Sequence, residues 1–541
     1  MKSLNILLIN PPYEGIDFET VKRFKGATLQ EPPIGLLCLM GRVVQMDCVS
    51  SVKILDFNLF DHSSYTTLTA YETSIKAKVK QYSNTLEGGI VGISLMFTTA
   101  YGFFEMLVNC IKQEIPDCTV VAGGNLATTL PDSILKQNAG VDYVVCGEGE
   151  EVFPQLIEKI LNNKPIDIQG IHSRNNIKQL MDGSFETARS VRDIDFPSET
   201  YKNVDLNPYI QGRGFQILAK NVALTQKVYQ LFCSRGCPVT CSFCAVSGVH
   251  GRQSRWRTLE NIKEEIIYLH KNYDVSLFAV RDSNLHPKEK SMALFEMFEE
   301  LNKEGISFNV TNMSLNHTDN EILDAMTRAG IKLVTFGLET GNKEMQKEIG
   351  KYANLDRAVS LVSYAKSKNM DVAFNYMLGF PGETVKQMQD TVDFALSIES
   401  HWSFFSVAVP IPGTPMYRQF VDLGYIESAP ETWKTNMFKR TFDTAEISAD
   451  DLNDFVYAAN LQVNFVSNTY IKLRLYDKAE ALFNGFVDRH PHHVFGWDCL
   501  RRIYHCTNRI EKASEISEVI KNLLADDPSA QDFNKFMYLL E

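Results

Sequence analysis

Cys233-Ser234-Arg235-Gly236-Cys237-Pro238-Val239-Thr240-Cys241-Ser242-Phe243-Cys244 carries four of the chain's eleven cysteines. The other seven (Cys38, Cys48, Cys110, Cys118, Cys146, Cys499 and Cys506) are scattered, most in apolar or helical settings, where cysteine reads as a small buried hydrophobe. Cysteines so distributed over 541 residues are not a disulfide framework. Cys237, Cys241 and Cys244 stand in a C-x3-C-x2-C spacing directly after an apolar run, Val228–Phe232, that reads as a strand. Thiolates are the soft ligands that iron–sulfur clusters take. Three of them on a four-iron cluster leave one iron open to a small chelating molecule, as an open position does in a catalytic metal site. Structural zinc is the other reading, with Cys233 or His250 as a fourth ligand. Zinc ligands, however, usually come as two separated pairs.

Outward from this segment, apolar runs alternate with helical spacing. Val228–Phe232, Leu277–Arg281, Phe308–Met313, Leu333–Leu338, Val372–Leu378 and Phe404–Val409 read as strands, with helices at 259–272, 288–304, 319–329, 355–368 and 385–398. Six βα units over 225–415 are two short of a closed eight-fold barrel, so a partial barrel is expected, with its site at the carboxyl ends of the strands. Beyond Thr414-Pro415 the strands stop, and 416–541 reads as a helical domain, weakly tetratricopeptide-like around Tyr476-Asp477-Lys478-Ala479-Glu480 and Ile510-Glu511-Lys512-Ala513. Upstream, Leu4–Ile9, Val52–Phe57, Ile90–Leu95, Thr119–Ala122 and Asp142–Cys146 read as buried parallel strands. Helical stretches separate them at Ile34–Val44, Tyr71–Tyr82, Tyr101–Ile115 and Val152–Leu161. Residues 1–165 therefore predict an α/β, Rossmann-like, doubly wound sheet whose ligand lies at the strand carboxyl ends. The loops there are Asn10-Pro11-Pro12-Tyr13-Glu14, Ser94–Thr99, Gly123-Gly124-Asn125-Leu126-Ala127 and Gly147-Glu148-Gly149-Glu150, small and polar enough for a backbone to approach a ligand. Residues 166–224 are polar and aperiodic, a linker with a small irregular subdomain.

Hydrophobic residues make up 44% and charged residues 22%, ordinary for a globular chain. No apolar stretch reaches the ~20 residues of a membrane span. The run Leu4–Ile9 is too short for a signal peptide and has no small-residue cleavage site after it, so a cytoplasmic enzyme is expected. A net charge of −12 argues against nucleic acid as a partner.

The cysteine segment resembles the signature loop of the radical S-adenosylmethionine (SAM) superfamily, with Phe243 matching the aromatic before the last cysteine. Gly337-Leu338-Glu339-Thr340-Gly341, Gly379-Phe380-Pro381-Gly382-Glu383-Thr384 and Pro410-Ile411-Pro412-Gly413-Thr414-Pro415-Met416-Tyr417 resemble the turns after that family's fourth, fifth and sixth strands. The resemblance implies a [4Fe–4S] cluster on Cys237, Cys241 and Cys244, with SAM on the open iron and one-electron cleavage to a 5′-deoxyadenosyl radical. Phe243, Glu339, Gly379 and Gly382 would contact SAM, with Asp282 and Asn284 as weaker candidates. Residues 4–160 resemble the cobalamin-binding domain of cobalamin-dependent radical SAM enzymes, through Glu31-Pro32-Pro33-Ile34-Gly35-Leu36, Val120–Leu130 and Val141–Glu150. Ser94, Gly123, Gly124, Asn125 and Glu148 are the cobalamin contacts this implies. No Asp-x-His-x-x-Gly occurs, which implies a corrin without a histidine ligand.

The function implied is a C- or P-methyltransferase on an unactivated position of a small-molecule or natural-product substrate, served by an electron donor such as flavodoxin or ferredoxin. A cobalamin-dependent radical oxidoreductase or cyclase without methyl transfer is the alternative, and a non-catalytic cobalamin or metal sensor a third reading. A methylthiotransferase is not implied, since the N-terminal cysteines do not resemble that family's second cluster.

Overall fold

The computed structural model of the chain describes residues 3–13, 31–60, 67–181, 185–210, 227–427 and 439–540, with 16, 17, 22, 23 and 65. They fall into two compact units. One lies within Met1–Arg213, Lys227–Val275 and Val409–Met437, the other within Ser276–Ala408 and Phe438–Glu541.

In the first unit the run Leu4-Asn5-Ile6-Leu7-Leu8-Ile9-Asn10 forms strand β1, buried at all but one position. A central strand of a parallel sheet is covered on both faces, which is why its apolar residues continue without alternation. β2 (Val49–Asp56), β3 (Ile90–Ser94), β4 (Thr119–Gly123) and β5 (Tyr143–Val145) join it in the order β2-β1-β3-β4-β5, all parallel. Helices α1 (Ile34–Val43), α2 (Leu68–Lys80), α3 (Tyr101–Glu114), α4 (Asn125–Thr129), α5 (Pro131–Gln137) and α6 (Val152–Leu161) complete this domain. Leu7 and Ile9 enter one apolar core with Phe103 and Leu107, while Ile6 and Leu8 enter another with Leu36 and Phe153. The strand order reverses between β1 and β3, the switch point at which doubly wound sheets take ligands. A two-residue strand, β6 (Ile171–His172), adds antiparallel to β5; two residues are too few to carry a period in sequence.

The described part of 166–224 packs against its neighbours in the first unit. Phe196 N donates to Asn261 Oδ1 (2.8 Å), Thr200 Oγ1 to Leu37 O (3.1 Å) and Tyr209 OH to Asp56 Oδ2 (2.9 Å). The remainder of that stretch, 182–184 and 211–224, lies outside the described residues, as does Glu14. The unit continues with β7 (Val228–Leu231), a short antiparallel pair β8 (Ser234–Arg235) and β9 (Arg255–Trp256), and α7 (Leu259–Tyr273).

The second unit contains β10 (Leu277–Val280), β11 (Ser307–Met313), β12 (Leu333–Glu339), β13 (Asp371–Leu378) and β14 (Trp402–Val407), adjacent in that order and parallel. Helices α8 (Lys288–Lys303), α9 (Asn320–Arg328), α10 (Leu355–Ser367) and α11 (Val385–Ser397) alternate with them. With β7, these are the six strands read from sequence for a partial barrel. The helical tail follows as α12 (Ala449–Leu461), a π-helical turn (Gln462–Val466), α13 (Tyr476–Arg489), α14 (Val494–Cys506) and α15 (Ile510–Asp526). It covers the edge strand β14. Asn460 accepts from Phe405 N (3.2 Å) and donates to Phe405 O (2.9 Å), and Asn464 does the same for Ser403 (2.7 and 2.6 Å). Two side-chain amides four residues apart thus stand in for a neighbouring strand, leaving the edge paired. Trp402 packs on Phe465 and Phe486 beneath them. Among the described residues no helix is long and apolar enough to cross a membrane.

Candidate active site

Cys237, Cys241 and Cys244 lie on one loop between β8 and β9 of the first unit. Its neck is the ladder in which Ser234 pairs with Trp256 and Arg235 with Arg255. Cys237 N donates to Gly251 O (3.2 Å), Cys244 N to Cys241 O (3.2 Å) and Met416 N to Ser242 O (2.9 Å), so the loop backbone is tied at several points. Cys241 is buried, whereas Cys237, Phe243 and Cys244 are half-buried. Three soft donors on one tied, partly accessible loop fit a cluster with an open iron. Among the described residues no three His, Cys, Asp or Glu side chains are already drawn together as a metal site. The two alternative fourth ligands are placed otherwise: Cys233 is fully buried at the foot of the loop, and His250 Nδ1 lies 2.9 Å from Glu148 Oε1.

At the carboxyl end of the first sheet, Ser94 closes β3 in register with Gly123 at the end of β4. Leu95 N donates to Gly123 O (2.7 Å) and Leu126 N to Leu95 O (3.0 Å), drawing the start of α4 against β3. Gly124 has φ +99°, and a Cβ there would sit 2.7 Å from Leu95 O, so only glycine fits. Ser94, Gly123, Gly124 and Asn125 are thereby gathered, all half-buried, next to the switch point. This small-residue cradle suits a flat corrin edge. On the other side of the switch point the buried Asp56 accepts from Asn10 Nδ2 (3.1 Å), Asn58 N (2.8 Å), Asn58 Nδ2 (2.9 Å) and Tyr209 OH (2.9 Å). Burial pushes its carboxyl up and these bonds oppose that.

Glu148 is placed differently. Its carboxylate is almost fully buried and accepts from Val191 N (2.7 Å), Arg255 Nη1 (2.7 Å), Arg255 Nη2 (2.7 Å) and His250 Nδ1 (2.9 Å). Burial pushes its carboxyl up, but His250, Arg255, Arg235 and the Val191 N–H together hold it well below the usual carboxylate range. The structure therefore ties its carboxylate to the neck of the cysteine loop.

In the second unit Glu339 ends β12 with φ +72°, 8% exposed, its Oε1 3.2 Å from Lys351 Nζ. A non-glycine residue held left-handed at a strand end is a strained position of the kind that collects at functional sites. Gly337 makes room for it, since a Cβ there would lie 2.7 Å from Glu339 Oε1. After β13, Glu383 Oε2 accepts from Gly379 N (2.6 Å) and Phe380 N (3.0 Å). Glu383 is 1% exposed, and burial pushes its carboxyl up to about 7 against those two N–H groups and the Arg440 charge. Arg440, also buried, donates to Gly379 O and to Ala408 O (2.9 Å). Gly382 is open, and Asp282 and Asn284 are buried in the loop after β10. Sequence reasoning did not single out Arg235, Arg255, Lys351, Glu383 or Arg440. Arg235, two residues before Cys237, and Glu383, inside the turn after the fifth barrel strand, were the two with a signal.

The chain is similar to an uncharacterized methyltransferase of Pyrococcus horikoshii, 27% identical over 77% of this chain and 83% of the relative. It is also similar to cytidylyl-2-hydroxyethylphosphonate methyltransferase of Streptomyces wedmorensis, 26% identical over 70% and 74% of the two chains. The radical SAM methyltransferase TsrM of Kitasatospora setae, solved with cobalamin and a [4Fe–4S] cluster bound, shares the fold at a TM-score of 0.61 and 18% identity over 79% of this chain and 80% of that one. The B12 binding domain model matches residues 32–157 and the radical SAM superfamily model residues 231–395. The chain thus carries a B12 binding domain followed by a radical SAM domain, and with them a [4Fe–4S] cluster, SAM and cobalamin as its cofactors.

Proposed function

We propose that this enzyme transfers a methyl group to an unactivated carbon, or to phosphorus, of a small-molecule substrate. The observation that carries the reading is the union, in one compact unit, of a B12-type sheet with its switch-point cradle and a three-cysteine loop fit for a cluster. When bound, the cluster and SAM supply one-electron bond cleavage and cobalamin supplies the methyl group. The chain's part is to hold and orient. Cys237, Cys241 and Cys244 bind the cluster, and Ser94, Gly123, Gly124 and Asn125 border the corrin. Phe243, Glu339, Gly379 and Gly382 receive SAM, with Glu339 accepting a hydrogen bond from its amino group or ribose. A flavodoxin or ferredoxin delivers the electron in the cytoplasm, and nucleic acid is not a partner, in keeping with the net charge of −12.

Anaerobically reconstituted protein with hydroxocobalamin, methyl-labelled SAM and a small-metabolite extract tests this. Label should enter a small molecule. Cleavage of SAM with no label in any product would favour an oxidoreductase or cyclase, and absence of cleavage a non-catalytic protein. Cys237→Ala, Cys241→Ala and Cys244→Ala should each abolish cleavage, whereas Cys233→Ser should keep the cluster. Glu339→Ala should weaken SAM binding roughly ten- to hundred-fold, the loss of one charge-assisted hydrogen bond of about 1.5–3 kcal/mol. Equilibrium binding with iron counted in parallel reads this, and unchanged affinity removes Glu339 from the site.

A further inference from the structure

The loop Gly147-Glu148-Gly149-Glu150 leaves β5 at the carboxyl end of the B12-type sheet, yet its two carboxylates face the neck of the cysteine loop. Glu148 binds Arg255 through two parallel N–H···O bonds of 2.7 Å, the planar fork that a guanidinium offers a carboxylate. Glu150 Oε1 lies 2.6 Å from Nη1 of Arg235, the ladder partner of Arg255, and Glu148 Oε1 lies 3.6 Å from the same nitrogen. Arg235 Nη2 also reaches Cys38 Sγ on α1 at 3.5 Å.

From Arg255 the chain of contacts runs to the cluster ligands. Arg255 Nη2 donates to His250 O (2.8 Å), and the next carbonyl, Gly251 O, accepts from Cys237 N (3.2 Å). His250 donates to Glu148 from its ring, so both the side chain and the main chain of residue 250 are held by one carboxylate–guanidinium pair. Arg235 stands two residues before Cys237 on the same strand–loop junction.

The side-chain exposures are 3% for Glu148, 9% for Arg255 and 20% for Arg235. Groups so buried are expensive to leave unpaired, which makes the arrangement rigid rather than incidental. An ionised carboxylate offers about four lone-pair sites. In Glu148 those sites face two nitrogens of Arg255, the His250 ring and Val191 N. None is left over for a corrin amide.

We propose that Glu148 is a positioning residue for the iron–sulfur loop, through which the B12-binding domain fixes the neck of the cysteine loop by way of Arg235, Arg255 and His250. The proposal rests on the assignment of Cys237, Cys241 and Cys244 as cluster ligands. It makes the cluster geometry depend on a residue of the domain that binds the other cofactor, a sheet-end carboxylate more than eighty residues from the first ligand in sequence.

The experiment uses the full chain, reconstituted anaerobically, as wild type, E148Q and E148D. Iron loss to a chelator and the midpoint potential of the cluster are measured, with cobalamin uptake recorded in parallel. E148Q keeps the shape but puts an amide N–H2 against guanidinium donors and leaves a net positive charge beside the loop. It should lose iron on the order of ten- to a hundred-fold faster, the usual effect of removing a group that orients metal ligands. Its potential should become less negative, because added positive charge favours the reduced cluster. E148D keeps the charge but is one methylene short, so its iron loss should be intermediate and its potential should stay near wild type. Cobalamin uptake should be unchanged in both.

Wild-type iron retention and potential in E148Q would overturn the proposal, as would a selective loss of cobalamin uptake. If E148Q does not fold, E148D decides, and wild-type iron retention there overturns it. Cys237→Ala, run alongside, separates the two levels: full iron in that variant would mean the ligand assignment is wrong, whatever Glu148 does.

Discussion

Glu148 and Glu383 are both buried glutamates that close a loop after a strand, one in each unit, at 5% and 1% exposed. Around Glu148 the fold packs two guanidiniums, an imidazole and a backbone N–H, and the carboxylate stays ionised far below its ordinary range. Around Glu383 it packs two backbone N–H groups on one oxygen and the Arg440 charge nearby, with no hydrogen-bond partner for Oε1 among the described residues, and the group is pushed up to about 7. Burial is common to both, so burial alone does not set the state of a carboxylate. The number and charge of the donors turned toward it decide whether it braces the fold or costs it stability.

The largest effect should come from breaking the first arrangement. Glu148→Ala strands Arg255 as a buried cation, and loss of one partner of a buried pair costs about 3–5 kcal/mol. Urea unfolding at neutral pH reads this, and a cost near that of an exposed pair, ~0.5 kcal/mol, would mean the guanidinium is solvated. The folded-state pKa of Glu148 is depressed, so its contribution is fully present above the unfolded carboxyl range near 4.5. It should fade as pH falls below that range toward the folded value.

The second arrangement should run the opposite way with pH. Glu383 is raised from 4.5 to about 7, so the folded state holds its proton more tightly than the unfolded chain does. The stability it contributes is complete below pH 4.5 and is lost as pH rises through about 7, on the order of 3 kcal/mol in all. Glu383→Gln keeps an oxygen for Gly379 N and Phe380 N but cannot ionise. Relative to wild type it should therefore gain stability between pH 5 and pH 8. A difference between the two proteins that does not change over that interval would show that water reaches Glu383.

The contrast between these glutamates is also where the sequence stopped being legible. The strands and helices were readable because burial on two faces leaves continuous apolar runs such as Leu4–Ile9, and on one face leaves a helical period such as 355–368. The cysteine loop and the strand-end turns were readable because their residues are neighbours in the chain. Glu148 was picked out by its place in Gly147-Glu148-Gly149-Glu150, but its partners lie 43 to 107 residues away, so its role was not readable. Arg440 reaches Gly379 across 61 residues from a tail that sequence marked only as helical. The ladders β5–β6 and β8–β9 hold two residues a side, below the length at which alternation can be seen.

The smallest effect concerns how firmly the Glu383 loop is held along its length. Gly379 and Gly382 are both left-handed, at φ +84° and +76°. At either, alanine carries the backbone cost of that conformation, about 1–2 kcal/mol. The surroundings then separate them. A Cβ on Gly382 meets nothing within 4 Å, whereas one on Gly379 would lie 2.5 Å from Leu452 Cδ2 and 3.1 Å from Arg440 Nη2. The leucine end can swing away, so the added cost is at the low end of overpacking, on the order of 1 kcal/mol. Gly379→Ala should therefore be less stable than Gly382→Ala by that margin in urea at pH 6. It should also push the Glu383 carboxyl further up, because a displaced Arg440 opposes the effect of burial less. Equal stability of the two variants would show that Leu452 and Arg440 yield freely, leaving the loop held by Glu383 alone and the contrast with the fully surrounded Glu148 wider still.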